Sequence, residues 1–443
     1  MKKFTKRMLS IAIPITLQNL ISTGLNLVDN LMIGQLGTTA IASVGLINQI
    51  VFILNLFTFG ASSGAGIFVA QYWGKKDNRN IEKTLGHIIY VTMGAACVFF
   101  VLLYVFPESI LRVFTSDLAV IETGAVYARP VAFSTFLTSF SFIMAMALRT
   151  VEKARIPMYV SLVALSINTV GNYVLIFGFG SIPAMGVMGA SIATLASRVI
   201  EFTIFFFIIF KGSTPIRLRL TSLRFDGIFF RRLMKYATPV IMNEFFWSVG
   251  IAVYSLVMAR MGTEFLAARN ISSTIESFGF VIFGGLAAAT VVMVGSELGR
   301  NNFEQAKNNA RKLLQLTVIT ALFTGLTIIL LSRFIVQLYN VEQSVKDVVL
   351  VIVIIVGLAQ PIKMFNAVNI VGILRSGGDT KAAMLIEIFS LWGIGIPLVV
   401  IAGLVLKLSL AQVYLVMMVE EIVKASLGIW RTKTGKWIRN VVD

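Results

Sequence analysis

Residues 14 to 37, PITLQNLISTGLNLVDNLMIGQLG, decide the fold class. The stretch is mostly apolar and, at a helical rise of about 1.5 Å per residue, long enough to cross a hydrocarbon core of roughly 30 Å. It nevertheless carries a carboxylate, Asp29. An acidic residue near the middle of a spanning helix costs about 2.5–3.5 kcal/mol on insertion scales, so it has to face protein or a wet cavity. Gln18, Ser22, Asn26 and Asp29 follow in steps of four, four and three, which stacks them along one helical face. One side of this helix reads as wet and the other as facing lipid or packing.

The whole chain agrees with that reading. Its 443 residues have a mean hydropathy of +0.86 and are 57% hydrophobic and 13% charged, against roughly 25% charged for a soluble domain. The expected fold is an all-α polytopic membrane protein. The formal charge of +17 would suggest nucleic acid in a soluble chain, but the basic residues collect in the loops on one side. A single cysteine, Cys97, excludes a disulfide framework and CxxC chemistry, and the single histidine, His87, excludes a histidine metal site. His87 reads as a donor near the interface. The basic start, Lys2, Lys3, Lys6 and Arg7, imitates a signal peptide but lacks a small-residue cleavage site, so the first span is expected to be retained.

Apolar runs broken at charges, Pro and Gly give twelve spans, near 10–33, 40–72, 84–106, 120–147, 157–178, 187–210, 236–260, 265–295, 313–332, 345–374, 382–404 and 410–430. With both termini inside, 29 of the 38 Lys and Arg fall in cytoplasmic segments and five outside. That asymmetry predicts a multi-pass protein of the cell membrane with both ends cytoplasmic, and it removes the nucleic-acid reading. The basic connection 211–235 is the expected linker between an N-terminal six-helix bundle, 1–210, and a C-terminal one, 236–443. Across it runs a repeat at a shift of 225: Pro14 with Pro239, Gly37 with Gly262, Gly60 with Gly285, Gly74 with Gly299, and, at 226, Leu148-Arg149 with Leu374-Arg375. Six spans per half make both halves enter from the same side, so the pseudo-two-fold axis is expected along the membrane normal, with a substrate cavity between the bundles.

A GxxxxGK[ST] loop is absent, which excludes ATP hydrolysis and leaves an ion gradient as the energy source of a pump. Gly60, Gly64 and Gly66 resemble a dinucleotide fingerprint only superficially; they lie inside a span and read as close helix packing. Asp29 is the candidate ion or proton site, because a buried carboxyl can alternate between a proton and a metal ion such as Na⁺. Asn168 and Asn172, four apart on one face, and Ser191 and Thr194 at the start of the next span supply neutral oxygens for a small cation; hydrogen bonding between helices is the alternative role. The position matching Asp29 in the second half is Tyr254, so the halves share form rather than chemistry. Glu244 and Glu276 are the second-half acids that either contact a cationic substrate or pair with Arg269 or Lys363. Arg198 with Glu201 reads as a structural pair, and Glu387, Glu420 and Glu421 read as structural. Asn26 and Phe57 complete the expected lining of the substrate cavity, where the 34 Phe and 18 Met suit an adaptable pocket.

The Pro14 to Asp29 spacing, Gly34-x-x-Gly37, the Ala-rich start of the second span and Gln71-x-x-Gly74 together resemble the multidrug and toxic-compound extrusion family. The resemblance extends through Gly186-Val-x-Gly189-Ala-Ser-Ile-Ala-Thr194, the repeat from Pro239, and Leu374-Arg375-x-Gly377-Gly378-Asp379-Thr380-Lys381. It implies two six-helix bundles around a V-shaped cavity, and alternating access that exports bulky organic cations against Na⁺ or H⁺. No cofactor beyond the coupling ion is implied, and the expected acting unit is a monomer in the lipid bilayer. Asp29 stands where family members bind the coupling ion and Asn168 matches a fifth-span asparagine. Asn172 departs from the pattern, since many members have a second aspartate there. Asn366 and Asn369 stand where one branch has an acid, which moves the expected ion site to the first half. The alternatives are a flippase for lipid-linked saccharides, which would favour a basic cavity for pyrophosphate, and a non-transporting receptor or channel, which the two-half repeat and off-axis acid disfavour.

Overall fold

Hydrocarbon offers no partner for a backbone N–H or C=O, so a chain this apolar crosses as helices or as a closed barrel. Runs rich in Leu, Ala, Met and Phe without period-two alternation select helices. The protein, seen in a computed structural model, is described over residues 2–212, 214–337 and 342–443; Ser213 of the expected linker lies outside the described residues. The described chain is helical, apart from one isolated bridge between Phe179 and Ile182. The first half comprises α1 (Lys2–Gly34), α2 (Thr38–Lys75), α3 (Asn78–Val105), the short α4 (Pro107–Phe114), α5 (Leu118–Thr150), α6 (Arg155–Phe177) and α7 (Gly186–Lys211). The second comprises α8 (Gly227–Met261), α9 (Thr263–Gly299), α10 (Phe303–Gln337), α11 (Gln343–Ala367), α12 (Thr380–Ile388), α13 (Ile396–Val400) and α14 (Leu410–Lys433). The tenth and eleventh spans are not pure α-helix: π-helical stretches Val368–Leu374, Phe389–Gly395 and Ile401–Val405 continue α11, join α12 to α13 and follow α13.

Among the described residues, eleven helical stretches are long and apolar enough to cross a membrane. The twelfth expected span, α14, carries Glu420, Glu421 and Lys424 in its middle and falls short on composition alone. Several helices outrun the expected spans, because hydropathy marks only the lipid-facing length; α3, for instance, begins at Asn78, where Asp77 caps it by accepting from the Asn80 N–H. The repeat is also a repeat of backbone geometry. Gly37 and Gly262 hold φ of +99° and +147°, and Lys76 and Asn301, 225 apart, hold φ of 60° and 59°. These left-handed positions make the sharp turns between consecutive helices and account for the matched glycines.

The chain divides into two compact units, Leu17–Val69 with Lys76–Ala237, and Met1–Thr16 with Ala70–Lys75 and Thr238–Asp443. α1 and α8 each pass from one unit to the other close to the matched prolines Pro14 and Pro239. In the second unit the end of α2 crosses the end of α9 at van der Waals limit. A methyl group on Gly74 would meet the Ser296 carbonyl oxygen and one on Gly299 would meet that of Gln71, and these two contacts are themselves related by the 225-residue shift. Buried Gln71 then ties the chain's last residues to this crossing: its Nε2 donates to the Ser376 carbonyl at 2.9 Å and its Oε1 accepts from the Val441 N–H at 2.7 Å.

In the first unit the basic connection before α8 packs on α3 rather than hanging free. His87, fully buried, is hydrogen-bonded through Nδ1 to the Lys83 carbonyl at 2.7 Å, and its Nε2 accepts from the Asp226 N–H at 2.9 Å. The ring therefore carries its proton on Nδ1, and it is a pin between segments rather than a donor to solvent. Lys83 reaches Asp226 at 2.6 Å, and that bond holds the Asp226 carboxyl down to about 2, so this carboxyl stays ionised at physiological pH. Gly299→Ala is expected to lower the thermal stability of the detergent-purified protein by about 1–3 kcal/mol, through overpacking against Gln71. Gly45→Ala, with nothing within 4 Å of its added methyl, is expected to be neutral or stabilising by up to about 1 kcal/mol.

Candidate functional site

The first unit brings Asp29 of α1 together with side chains from α5, α6 and α7. Two glycines set the spacing: a methyl on Gly171 would lie 3.1 Å from the Ala193 Cβ, and one on Gly189 would strike the backbone at Leu175. α6 and α7 therefore pack almost backbone to backbone, which carries Thr194 to Asn168. Asn168 Nδ2 donates to Thr194 Oγ1 at 3.4 Å, and one turn on, Asn172 Nδ2 donates to Asp29 Oδ1 at 3.0 Å. The hydroxyl of buried Tyr127, on α5, lies close to Thr194, Asn48 and Asp29.

Two features give this cluster chemical potential. Asp29 makes no ion pair among the described residues; Arg198, the cation near enough to act on it electrostatically, is bound to Glu201 at 2.6 Å. In addition, Asn172 Oδ1 is buried and has no hydrogen-bond partner. Its orientation is not a free choice, since a carboxylate only accepts and so takes the amide nitrogen, turning the oxygen away. An unmatched carbonyl oxygen next to a carboxylate is what a bound cation would satisfy. Among the described residues no three His, Cys, Asp or Glu side chains converge on a metal-sized site, so a metal ion here would rely on Asp29 with neutral oxygens. Of the expected cation ligands the structure thus gathers Asp29, Asn168, Asn172 and Thr194, and adds Tyr127 and Asn48.

The other expected site residues lie elsewhere. Gln18, on the same helical face as Asp29, is buried between Ser161, to which it donates at 2.6 Å, and Arg149, from which it accepts at 2.8 Å. Asn26 is exposed and Phe57 half-buried, and neither joins the hydrogen-bonded cluster. Glu244 and Glu276, in the second unit, are held by internal cations. Arg375 reaches Glu244 at 2.8 Å, and Glu276 pairs with Lys363 and, at 3.7 Å, with Arg269.

The second half also contains a transposed copy of the Asp29 cluster. Tyr254, at the position matching Asp29, donates its hydroxyl to Glu420 Oε2 at 2.6 Å. Glu420 matches Thr194, and Lys424 matches Arg198, each at the shift of 226 seen for Leu148-Arg149. The carboxylate and the hydroxyl have changed helices, and Lys424 sits 2.9 Å from the transposed acid.

Comparison with known proteins follows the same repeat. The MatE family profile matches residues 14–174 and 239–401, two segments that begin at the matched prolines. A probable multidrug resistance protein NorM of Thermotoga maritima is 23% identical over 99% of this chain and 94% of its own length. The uncharacterized transporter YisQ of Bacillus subtilis is 24% identical over 93% and 90%. Among solved structures, an outward-facing multidrug resistance MATE family transporter of the MOP superfamily superposes with a TM-score of 0.89, at 18% identity, over 98% of this chain and 96% of its own. The helical, two-repeat fold and the family match agree, and the chain belongs to the MatE family of membrane transporters.

Proposed function

We propose that the chain is a secondary active antiporter that exports bulky, often cationic organic compounds in exchange for Na⁺ or H⁺, with the coupling ion bound at Asp29. The observation that carries the reading is the Asp29 cluster: a carboxylate without an ion pair beside the buried, unpartnered Oδ1 of Asn172. A cation there restores the missing interaction, and a proton on Asp29 removes the uncompensated charge instead. Asn168, Thr194 and Tyr127 hold the neutral oxygens of the site in place. The names of the relatives, multidrug resistance proteins from two bacteria, support drug-like substrates. The acting form is a monomer in the cell membrane with both termini cytoplasmic, an N-terminal bundle over 1–210, a linker over 211–235 and a C-terminal bundle over 236–443.

Coupling follows from competition. If ion and substrate favour opposite states of the carrier, linkage makes the effect of each on the other equal. A potential of about 100 mV supplies about 2.3 kcal/mol per charge, enough for roughly fiftyfold accumulation at full coupling. Since Glu244 and Glu276 are neutralised internally, the ionic selectivity for a cationic substrate falls on residues other than these two acids.

Two measurements test this reading. In proteoliposomes with Na⁺ and pH gradients imposed separately, the wild type should move a fluorescent organic cation under at least one gradient, while Asp29→Asn inserts normally and loses gradient-driven export. Wild-type transport by that variant would refute the role of Asp29. Glu276→Gln, which leaves Lys363 and Arg269 facing a neutral amide, is expected to cost about 3–5 kcal/mol of stability, whereas Asp29→Asn, breaking no ion pair, should change the thermal midpoint little.

A further inference from the structure

The connection between α7 and α8 carries a surface that the Asp29 reading leaves unused. Over residues 211–235 it holds seven Lys or Arg against one acid, Asp226, and Lys83 of α3 takes that acid. The segment is fixed to the helices on either side of it. The Leu218 N–H donates to the Ile209 carbonyl of α7 at 3.3 Å, the Ser222 hydroxyl donates to Glu82 of α3 at 3.0 Å, and the Tyr90 hydroxyl donates to the Leu223 carbonyl. A methyl group on Gly86 would strike the Ser222 carbonyl oxygen, so this contact is backbone to backbone.

Such docking decides which side chains face outward. Ile216 and Leu218 are buried, and Arg217 and Arg219 alternate with them on the exposed side. Asp226 accepts from the Ile228 and Phe229 N–H groups and so caps the start of α8. Ile228, Arg231 and Lys235 then follow in steps of three and four along one exposed face. Arg217, Arg219, Arg224, Arg231 and Lys235 are all exposed, and none has an acidic partner among the described residues. Between these charges stand two apolar side chains, Phe225 at 57% exposed and Ile228 at 87%. Phe225 lies against His87 and Tyr90, with ring centroids 5.6 and 6.0 Å apart. Both partners belong to the first turns of the apolar run of α3, which brings the segment to the depth where that helix enters hydrocarbon and where aromatic side chains collect.

We propose that this segment is a preformed binding surface for the headgroups of anionic phospholipids. Its five free cations meet the lipid phosphates, and Phe225 and Ile228 enter the boundary between headgroups and acyl chains. The exposed apolar pair separates this partner from a soluble polyanion, which would satisfy the charges and leave both side chains in water. Because the segment is held by α3 and α7, little ordering is left to be done when lipid binds. The proposal rests on the cytoplasmic placement of this connection given above, where the leaflet carries the negative surface potential.

The test uses the full-length protein with Cys97→Ser and Ile228→Cys, labelled at the new thiol with bimane, in nanodiscs of phosphatidylcholine and phosphatidylglycerol. Either lipid is supplied with brominated acyl chains, which quench the label on contact. Brominated phosphatidylglycerol should quench at least about fivefold more effectively than brominated phosphatidylcholine at low salt, the effect of about one well-placed charge. High salt should remove the preference. Arg217→Gln with Arg219→Gln and Arg224→Gln should abolish it, Lys at the same three positions should keep it, and Lys3→Gln with Lys6→Gln and Arg311→Gln, an equal loss of charge elsewhere, should leave it unchanged. If the glutamine variant fails to fold, the salt series on the otherwise intact chain decides. Equal quenching by the two lipids, or a preference lost equally in the control triple, would overturn the proposal. So would a label untouched by either lipid and shifted by an added oligonucleotide, which would assign the surface to a soluble polyanion. Both leaflets of the disc have one composition, so the result does not depend on sidedness, and loss of gradient-driven export in Asp29→Asn has no bearing on it.

Discussion

The constraint on which the rest of this structure depends is the cost of holding a charge away from water. In the second unit that cost is met by pairing: Glu244 with Arg375, Glu276 with Lys363 and Arg269, Glu420 with Lys424. Such pairs add little net stability over apolar packing, but removing one member leaves the other stranded, so they hold α8, α9, α11 and α14 in one arrangement. In the first unit the same constraint is met only in part. Asp29 has one amide donor, a distracted arginine and a phenol nearby. That contrast makes the paired groups scaffold and the unpaired one a candidate for reversible chemistry.

Duplication supplies the frame on which this contrast is drawn. Matched glycines make matched turns at Gly37 and Gly262 and a matched close crossing at Gly74 and Gly299, because only a residue without Cβ fits those backbones. Polar residues, free of that steric demand, have diverged between the halves. The pair Asp29 and Thr194 in one half stands opposite Tyr254 and Glu420 in the other, with acid and hydroxyl exchanged between helices. A frame that occurs twice with different chemistry allows the halves to bind different things while sharing one set of packing contacts.

Amide side chains recur beside the carboxylates of both halves. Asn172 at Asp29, Asn243 at Glu387 and Asn366 at Glu421 each donate to the acid and leave a buried oxygen unmatched. An asparagine in this position stabilises the ionised acid with one end and offers the other to a proton donor or a cation.

The sequence by itself determined the membrane-spanning helical class and the repeat, and it marked Asp29 and its neutral neighbours as the candidate cluster of the first half. Apolar length, helix-breaking glycines and the cost of Asp29 are local properties, legible from neighbouring residues. Asn168, Asn172 and Thr194 were legible for the same reason, as neutral oxygens on helical faces. Tyr127 was not, because a tyrosine two residues from Arg129 reads as an interfacial aromatic, and only the packing of α5 turns its hydroxyl to Thr194. Arg269 and Lys363 were legible as possible partners of the second-half acids, but that both go to Glu276 while Glu244 takes Arg375, 131 residues away, was not, and the place of His87 depends on a linker that folds back onto α3. Tertiary structure alone decided these, since a buried charge is defined by which distant group meets it, and that choice is made by the packing of helices rather than by any one of them.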